Sequence, residues 1–148
     1  MLLFSVAFAP TAVIAHSHKK KGLEIVHPWT HETADPGTVN IAVYMTLKNT
    51  SRSTDRLVGA SSDLADKIEL IELQGGSNSM PVATSALVVA AGKSLQLTPV
   101  GSRLLLLGVK KPLAAYDSFK MTLMFEKAGI VEVEVMVEES GMTDPHKH

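Results

Sequence analysis

The chain has 148 residues, a formal net charge of −1 and 45% hydrophobic residues, which suits one globular domain with a full core and gives no electrostatic reason to expect nucleic acid as a partner. It holds no cysteine, which excludes disulfides, thiolate zinc sites, blue-copper sites and cysteine nucleophiles. Any metal would have to be held by His, Met, carboxylate or backbone.

Residues 1–15 are apolar and uncharged and are followed at once by His16-Ser17-His18-Lys19-Lys20-Lys21, the pattern of a signal peptide cut after Ala15. A membrane anchor left in place is the competing reading, against which the run is shorter than the ~20 residues a spanning helix needs. Cleavage would leave an exported, periplasmic protein with no membrane attachment after signal removal. Residues 16–21 then form a His/Lys-rich segment, 22–137 the folded body and 138–148 a polar tail.

Leu23 to Trp29 predicts a first strand stopped by Pro28, and Thr30 to Thr38, with Asp35-Pro36-Gly37, a loop. From Val39 the chain alternates, with Val39, Ile41, Val43, Met45 and Leu47 on one side, as a strand with a core face does. A polar turn at Asn49–Asp55 precedes an extended stretch from Arg56 to Ser61. Lys67–Leu73 is the next strand; its parity puts Ile68 and Leu70 on one face and Glu69, Ile71 and Leu73 on the outward one. Two short strands surround the turn at Ala90–Lys93. The run Arg103-Leu104-Leu105-Leu106-Leu107 between Gly101 and Gly108 is apolar at almost every position, so it reads as a strand covered on both faces. Two alternating strands follow, one with Phe119, Met121, Leu123 and Phe125, the other with Val131, Val133, Val135 and Val137. They are joined by a hairpin loop at Lys127-Ala128-Gly129 with Gly at φ > 0. Eight or nine short strands and no amphipathic helix predict an all-β, antiparallel Greek-key sandwich in one domain.

No catalytic constellation assembles, and no histidine falls between Glu32 and Pro145, so an enzyme is not expected. All six histidines lie towards the ends: His16, His18, His27, His31, His146 and His148. If cleavage follows Ala15, the new amino group, the Ser17 and His18 amides and the His18 imidazole form a planar four-nitrogen chelate suited to Cu(II) or Ni(II). Met142, His146 and His148 give the tail a second set of donors. Solvated His-Lys tails are the competing reading, and His27 beside Pro28-Trp29 reads as a packed structural residue. Thioethers suit Cu(I), but Met45 and Met121 fall on core faces and Met124 and Met136 share the outward parity of charged neighbours, which leaves Met80 as the one methionine of the body in a plausible site.

Tyr44-Met45-Thr46-Leu47-Lys48-Asn49, Asp55-Arg56-Leu57-Val58-Gly59-Ala60-Ser61-Ser62, Glu69-Leu70-x-Glu72, Gly75-Gly76, Met80-Pro81-Val82, Ala91-Gly92, Pro112-Leu113 and Leu123-x-Phe125-Glu126-Lys127-Ala128-Gly129 together resemble the periplasmic copper chaperones of the PCu(A)C type. The resemblance runs from about Gly22 to Val137. It implies a cupredoxin-like β-sandwich, export, and delivery of Cu(I) towards the dinuclear centre of cytochrome oxidase from a surface site of two His and two Met. Carried onto this chain, the first His position is Ile71, the hairpin Met corresponds to Met80 or, in another alignment, Ser79, and the His-x-Met pair falls on Arg103 and Leu105.

Two readings follow. The first is an exported copper chaperone-like protein with a degenerate conventional site, copper being held by His16, His18, Met142, His146, His148 and Met80. Its partner would be a copper-accepting oxidase subunit or another copper chaperone. The second is a metal-free interaction module using the apolar patch of Ile71, Leu105, Leu107 and Met80.

Overall fold

The computed structural model describes residues 17–33, 40–74 and 79–140. Its strands, in chain order, are β1 (Ser17–Lys20), β2 (Leu23–His31), β3 (Asn40–Asn49), β4 (Asp55–Ser61), β5 (Lys67–Gln74), β6 (Met80–Thr84), β7 (Leu87–Val89), β8 (Ser94–Leu97), β9 (Arg103–Leu107), β10 (Ser118–Phe125) and β11 (Gly129–Glu138). No helix among the described residues is long and apolar enough to cross a membrane.

The hydrogen-bonded order is β6-β5-β9-β3-β2-β11-β10-β4-β7, with β1 attached to β2 and β8 to β3. The sheet curls so that strands from its two ends enclose one core. Leu70 on β5 and Leu104 and Leu106 on β9 belong to the same buried cluster as Leu57 on β4, Leu87 on β7 and Leu123 on β10. The expected alternation holds on β11, where Val131, Val133, Val135 and Val137 are buried, and Met45 and Met121 are core residues. The all-β expectation is therefore met, with one departure from antiparallel pairing: β2 and β11 run parallel, Met136 opposite Trp29 and Glu138 opposite His31.

Two local expectations need correction. Pro28 does not end the first strand, which continues to His31. The strand shifts register between Val26 and Trp29, and His27 takes φ of +51°. β3 lies along one edge of β2; the other edge is shared, Leu23–Val26 pairing with β1 and Trp29–His31 with β11. His27 and Pro28 occupy the seam between the two partners, where no ladder bond needs the N–H that proline lacks. A bulge at such a seam turns the strand from one neighbour to the next.

The second correction concerns the N-terminal lysines, which form part of a hairpin rather than a free segment. Lys20 pairs with Leu23 across the two-residue turn Lys21-Gly22, whose φ values of +48° and +79° give the left-handed pair that suits strand twist. Val39, from which the third strand is expected, lies outside the described residues, and the strand is described from Asn40.

Candidate functional site

The residues expected to mark the family's metal face come together as the register requires. β5 pairs with β9 so that Ile71 lies opposite Arg103 and Glu69 opposite Leu105; β9 pairs with β3 so that Leu105 lies opposite Ala42. Directly paired residues point to the same face. One further step of the β9–β3 register puts Tyr44 beside Arg103, and Tyr44 is itself paired with Trp29 of β2. Ile71, Arg103, Tyr44 and Trp29 thus form a row across four strands, on the face opposite Leu70, Leu104 and Leu106.

This row is closed rather than open. Ile71 is 6%, Tyr44 8% and Trp29 4% exposed, yet none of the three belongs to the main core cluster. Trp29 and Tyr44 pack with ring centroids 4.7 Å apart, and His31 meets the Trp29 ring edge-on at 4.9 Å. Burial pushes the Tyr44 phenol above its ordinary pKa, with the Arg103 cation pulling it partly back. Arg103, half-buried, donates from Nη1 to the Gly101 carbonyl at 3.1 Å. A fixed guanidinium here repels a metal cation, and neither Ile71 nor Leu105 has a donor atom to offset that repulsion.

Met80 does not join the row. It pairs with Gln74 and so has the parity of Leu70 and Glu72, the face opposite Ile71, with 67% of its surface exposed. The apolar patch on the outer face is consequently Leu105 and Leu107 beside a closed Ile71, without Met80. Among the described residues no group of three or more His, Asp or Glu is arranged to hold a metal ion.

Of the terminal donors, His16, Met142, His146 and His148 lie outside the described residues. His18 lies within β1, opposite Ile25. The pair closing a two-residue hairpin is hydrogen-bonded and such pairs alternate, so the His18–Ile25 pair is also a bonded one. A chelate that uses the His18 amide has to break that bond. The His18 Nε2 is buried with no hydrogen-bond partner among the described residues.

Sequence reasoning reads His27 as a packed structural residue and misses the partner of its ring. Its Nε2 is 2.8 Å from Glu138 Oε1, a pairing across 111 residues that no local pattern announces, and its ring stacks near Trp29 at 6.5 Å. With Val26, Trp29, Met45, Leu97 and Val100 it lines a groove of about 570 Å³. The one signal available in advance was Pro28 inside an otherwise strand-like run, which marks a bulge as readily as an end.

A family model described as "Putative lipoprotein LpqE-like" matches residues 23–137. The chain belongs to the LpqE-like family. A "Putative lipoprotein Lxx21020" from Leifsonia xyli subsp. xyli (strain CTCB07) is 30% identical to this LpqE-like chain over 141 residues, covering 93% of the chain and 83% of that protein. Among solved structures, the LpqE-like chain is similar to the copper-bound PCuAC domain from PmoF2, with a TM-score of 0.74 and 25% identity over 84% of this chain and 98% of that one. It is also similar to CuI-DR1885 from Deinococcus radiodurans, with a TM-score of 0.62 and 26% identity over 88% and 86%. The resemblance to the PCu(A)C type is thereby borne out, for the fold and for the family.

Proposed function

We propose that this LpqE-like protein is an exported copper-handling accessory protein of the PCuAC type, in which copper is held by the terminal His/Met segments instead of the conventional face. The observation that carries the reading is a contrast within one fold. The chain shares nearly the whole extent of a copper-bound domain, while Ile71 and Arg103, paired across β5 and β9, and Leu105 replace the donors expected on that face. Export is supported by the lipoprotein descriptions of the matching family and relative and by the apolar residues 1–15. The recipient would be a copper-accepting oxidase subunit or a second copper chaperone.

Isothermal titration of the chain beginning at His16 with Cu(I) and with Cu(II), beside the same chain ending at Ser140, tests the reading. Binding by the longer form that weakens when the tail is removed is the expected result. Failure of the longer form to take up either ion ends the proposal.

A further inference from the structure

The chain is close to neutral, yet its charges are sorted along the strands. Four turns gather at one end of the sandwich, because the registers place Leu23 opposite Asn49, Lys48 opposite Ser94, Asp55 opposite Val89 and Phe125 opposite Gly129. Six exposed cations stand on these turns or beside them: Lys20 and Lys21 at the β1–β2 turn, Lys48 at the end of β3, Arg52 in the turn after it, Lys93 between β7 and β8, and Lys127 between β10 and β11. The acids at this end are already engaged. Asp55 is buried on three amide donors, Glu126 lies 3.7 Å from Arg56, and Glu24 stands between Lys19 and Lys48 in the register. None of the six cations forms an ion pair among the described residues. The opposite end, where β2 stops at His31, β3 starts at Asn40 and β4 stops at Ser61, carries Glu32, Asp63, Asp66, Asp117 and Glu139 against Lys67, Lys110 and Lys111.

The basic turns are fastened to one another, so their charges act as one surface. The Thr50 amide and hydroxyl donate to the Gly22 carbonyl at 2.8 and 2.9 Å, and the Asn49 amide donates to the Lys93 carbonyl at 2.9 Å. The Lys127 amide donates to Asp55 at 2.9 Å, and Lys20 Nζ to the Ile130 carbonyl at 2.8 Å. Ile130, beside these lysines, is a large apolar side chain left 63% exposed. The cleft among Lys19, Lys20, Lys21, Leu23 and Thr50 holds only about 240 Å³, small for a site that encloses a ligand. Five of the six cations are lysines, point charges on flexible stems, whereas bidentate recognition of one carboxylate or phosphate favours arginine. Convex, lysine-rich turns with an apolar residue at their edge fit a broad anionic layer with an oily interior better than a single anion or an acidic peptide.

We propose that this basic end docks reversibly on the headgroups of an anionic lipid surface, with no inserted span. Because the net charge is −1, attraction to such a surface depends on the segregation of charge: the field of the six cations is felt within a Debye length, while the acids lie at the far end of the strands. Docking in this way turns the opposite end, with His31 and Glu139, away from the lipid. It does not depend on copper and stands or falls apart from the function proposed above.

The test is sedimentation of the chain from His16 onward with vesicles of phosphatidylcholine, either alone or with about one-third phosphatidylglycerol to set a negative surface potential. Binding to the anionic vesicles and not to the neutral ones is expected. It should weaken at least about tenfold as sodium chloride rises from about 0.05 to about 0.5 M and the Debye length contracts. Each basic residue close to an anionic surface strengthens binding about fivefold, so Lys21→Asn, Lys93→Gln and Lys127→Gln together should weaken it on the order of a hundredfold. Asn at position 21 suits the φ of +48° there. Lys67→Gln, Lys110→Gln and Lys111→Gln, which change the net charge equally at the far end, should alter binding less than about threefold. Equal losses in the two triple variants, undiminished binding by the first of them, or equal binding to neutral vesicles overturns the proposal. So does a failure to bind anionic vesicles, and capture by immobilised polyaspartate in that case assigns the basic end to an acidic protein instead.

Discussion

Replacing Asp55 offers the most quantitative test of what holds this fold together. Asp55 is 6% exposed. Its Oδ1 accepts from the amides of Arg56 at 2.8 Å and Lys127 at 2.9 Å, and its Oδ2 from the amide of Ala128 at 2.9 Å. The carboxylate therefore fastens the start of β4 to the loop of the β10–β11 hairpin, 72 and 73 residues away. Hydrogen bonds to a charged group contribute about 1.5–3 kcal/mol each, and a buried donor left without a partner costs about 1–3 kcal/mol. Ala128 is only 1% exposed, so water does not readily replace the lost acceptor there, whereas the exposed Lys127 can be solvated. Asp55→Ala should thus cost about 3–5 kcal/mol, a large share of the ~5–15 kcal/mol that holds a domain of this kind. Asp55→Asn keeps one oxygen for Arg56 and Lys127 but turns a second donor towards Ala128, and should cost about 2 kcal/mol. Urea unfolding with a shared m-value measures both, and amide exchange should quicken first at Lys127 and Ala128. A loss below about 1 kcal/mol for Asp55→Ala would refute the clamp.

Further predictions concern the closed face. Ile71→His, Arg103→His and Leu105→Met, made together in the chain ending at Ser140, remove the cation and restore donors on one face; Cu(I) binding should appear where the parent has none, and a flat titration of a folded triple variant would show that the scaffold no longer supports that site. Tyr44, whose pKa burial raises above 10.0, contributes stability that is present below pH 10 and lost as pH rises through the higher folded value. Tyr44→Phe should consequently lessen the fall in the urea midpoint between about pH 9 and about pH 11; an unchanged fall would assign it elsewhere, for instance to Tyr116, whose pKa the Glu139 carboxylate also raises.

Much of the fold was legible because its signals are local. The alternating valines of β11, the Gly129 hairpin with φ of +80° and the core leucines of β9 follow from period and turn chemistry alone. The motifs that carry the family resemblance prove to be the joints of the scaffold. Asp55-Arg56-Leu57 and Lys127-Ala128-Gly129 are the two halves of one clamp. The Asn49 amide reaches the Ser53 and Val89 carbonyls, while its backbone N–H meets the Lys93 carbonyl just beyond Gly92. What was not legible depends on pairing between distant segments. Pro28 breaks a strand only if both edges are paired at that point, and nothing in Leu23–His31 says that one edge changes partner there. Likewise Met80 belongs with Ile71 by sequence likeness but takes the opposite face, since a hairpin's register decides parity and the residues between β5 and β6 do not declare it.

If Ile71, Arg103 and Leu105 stand at the family's ligand positions, single substitutions there are not expected to restore a site. A lone Ile71→His in this protein would place an imidazole in a 6%-exposed position opposite a guanidinium, burying a polar group without a partner. A lone Arg103→His would leave one donor among apolar neighbours and gain little affinity. With that face closed, β2 is held at both of its ends by segments near the limits of the described residues, Ser17 opposite Val26 and Glu138 opposite His31, with His27 at the seam between them.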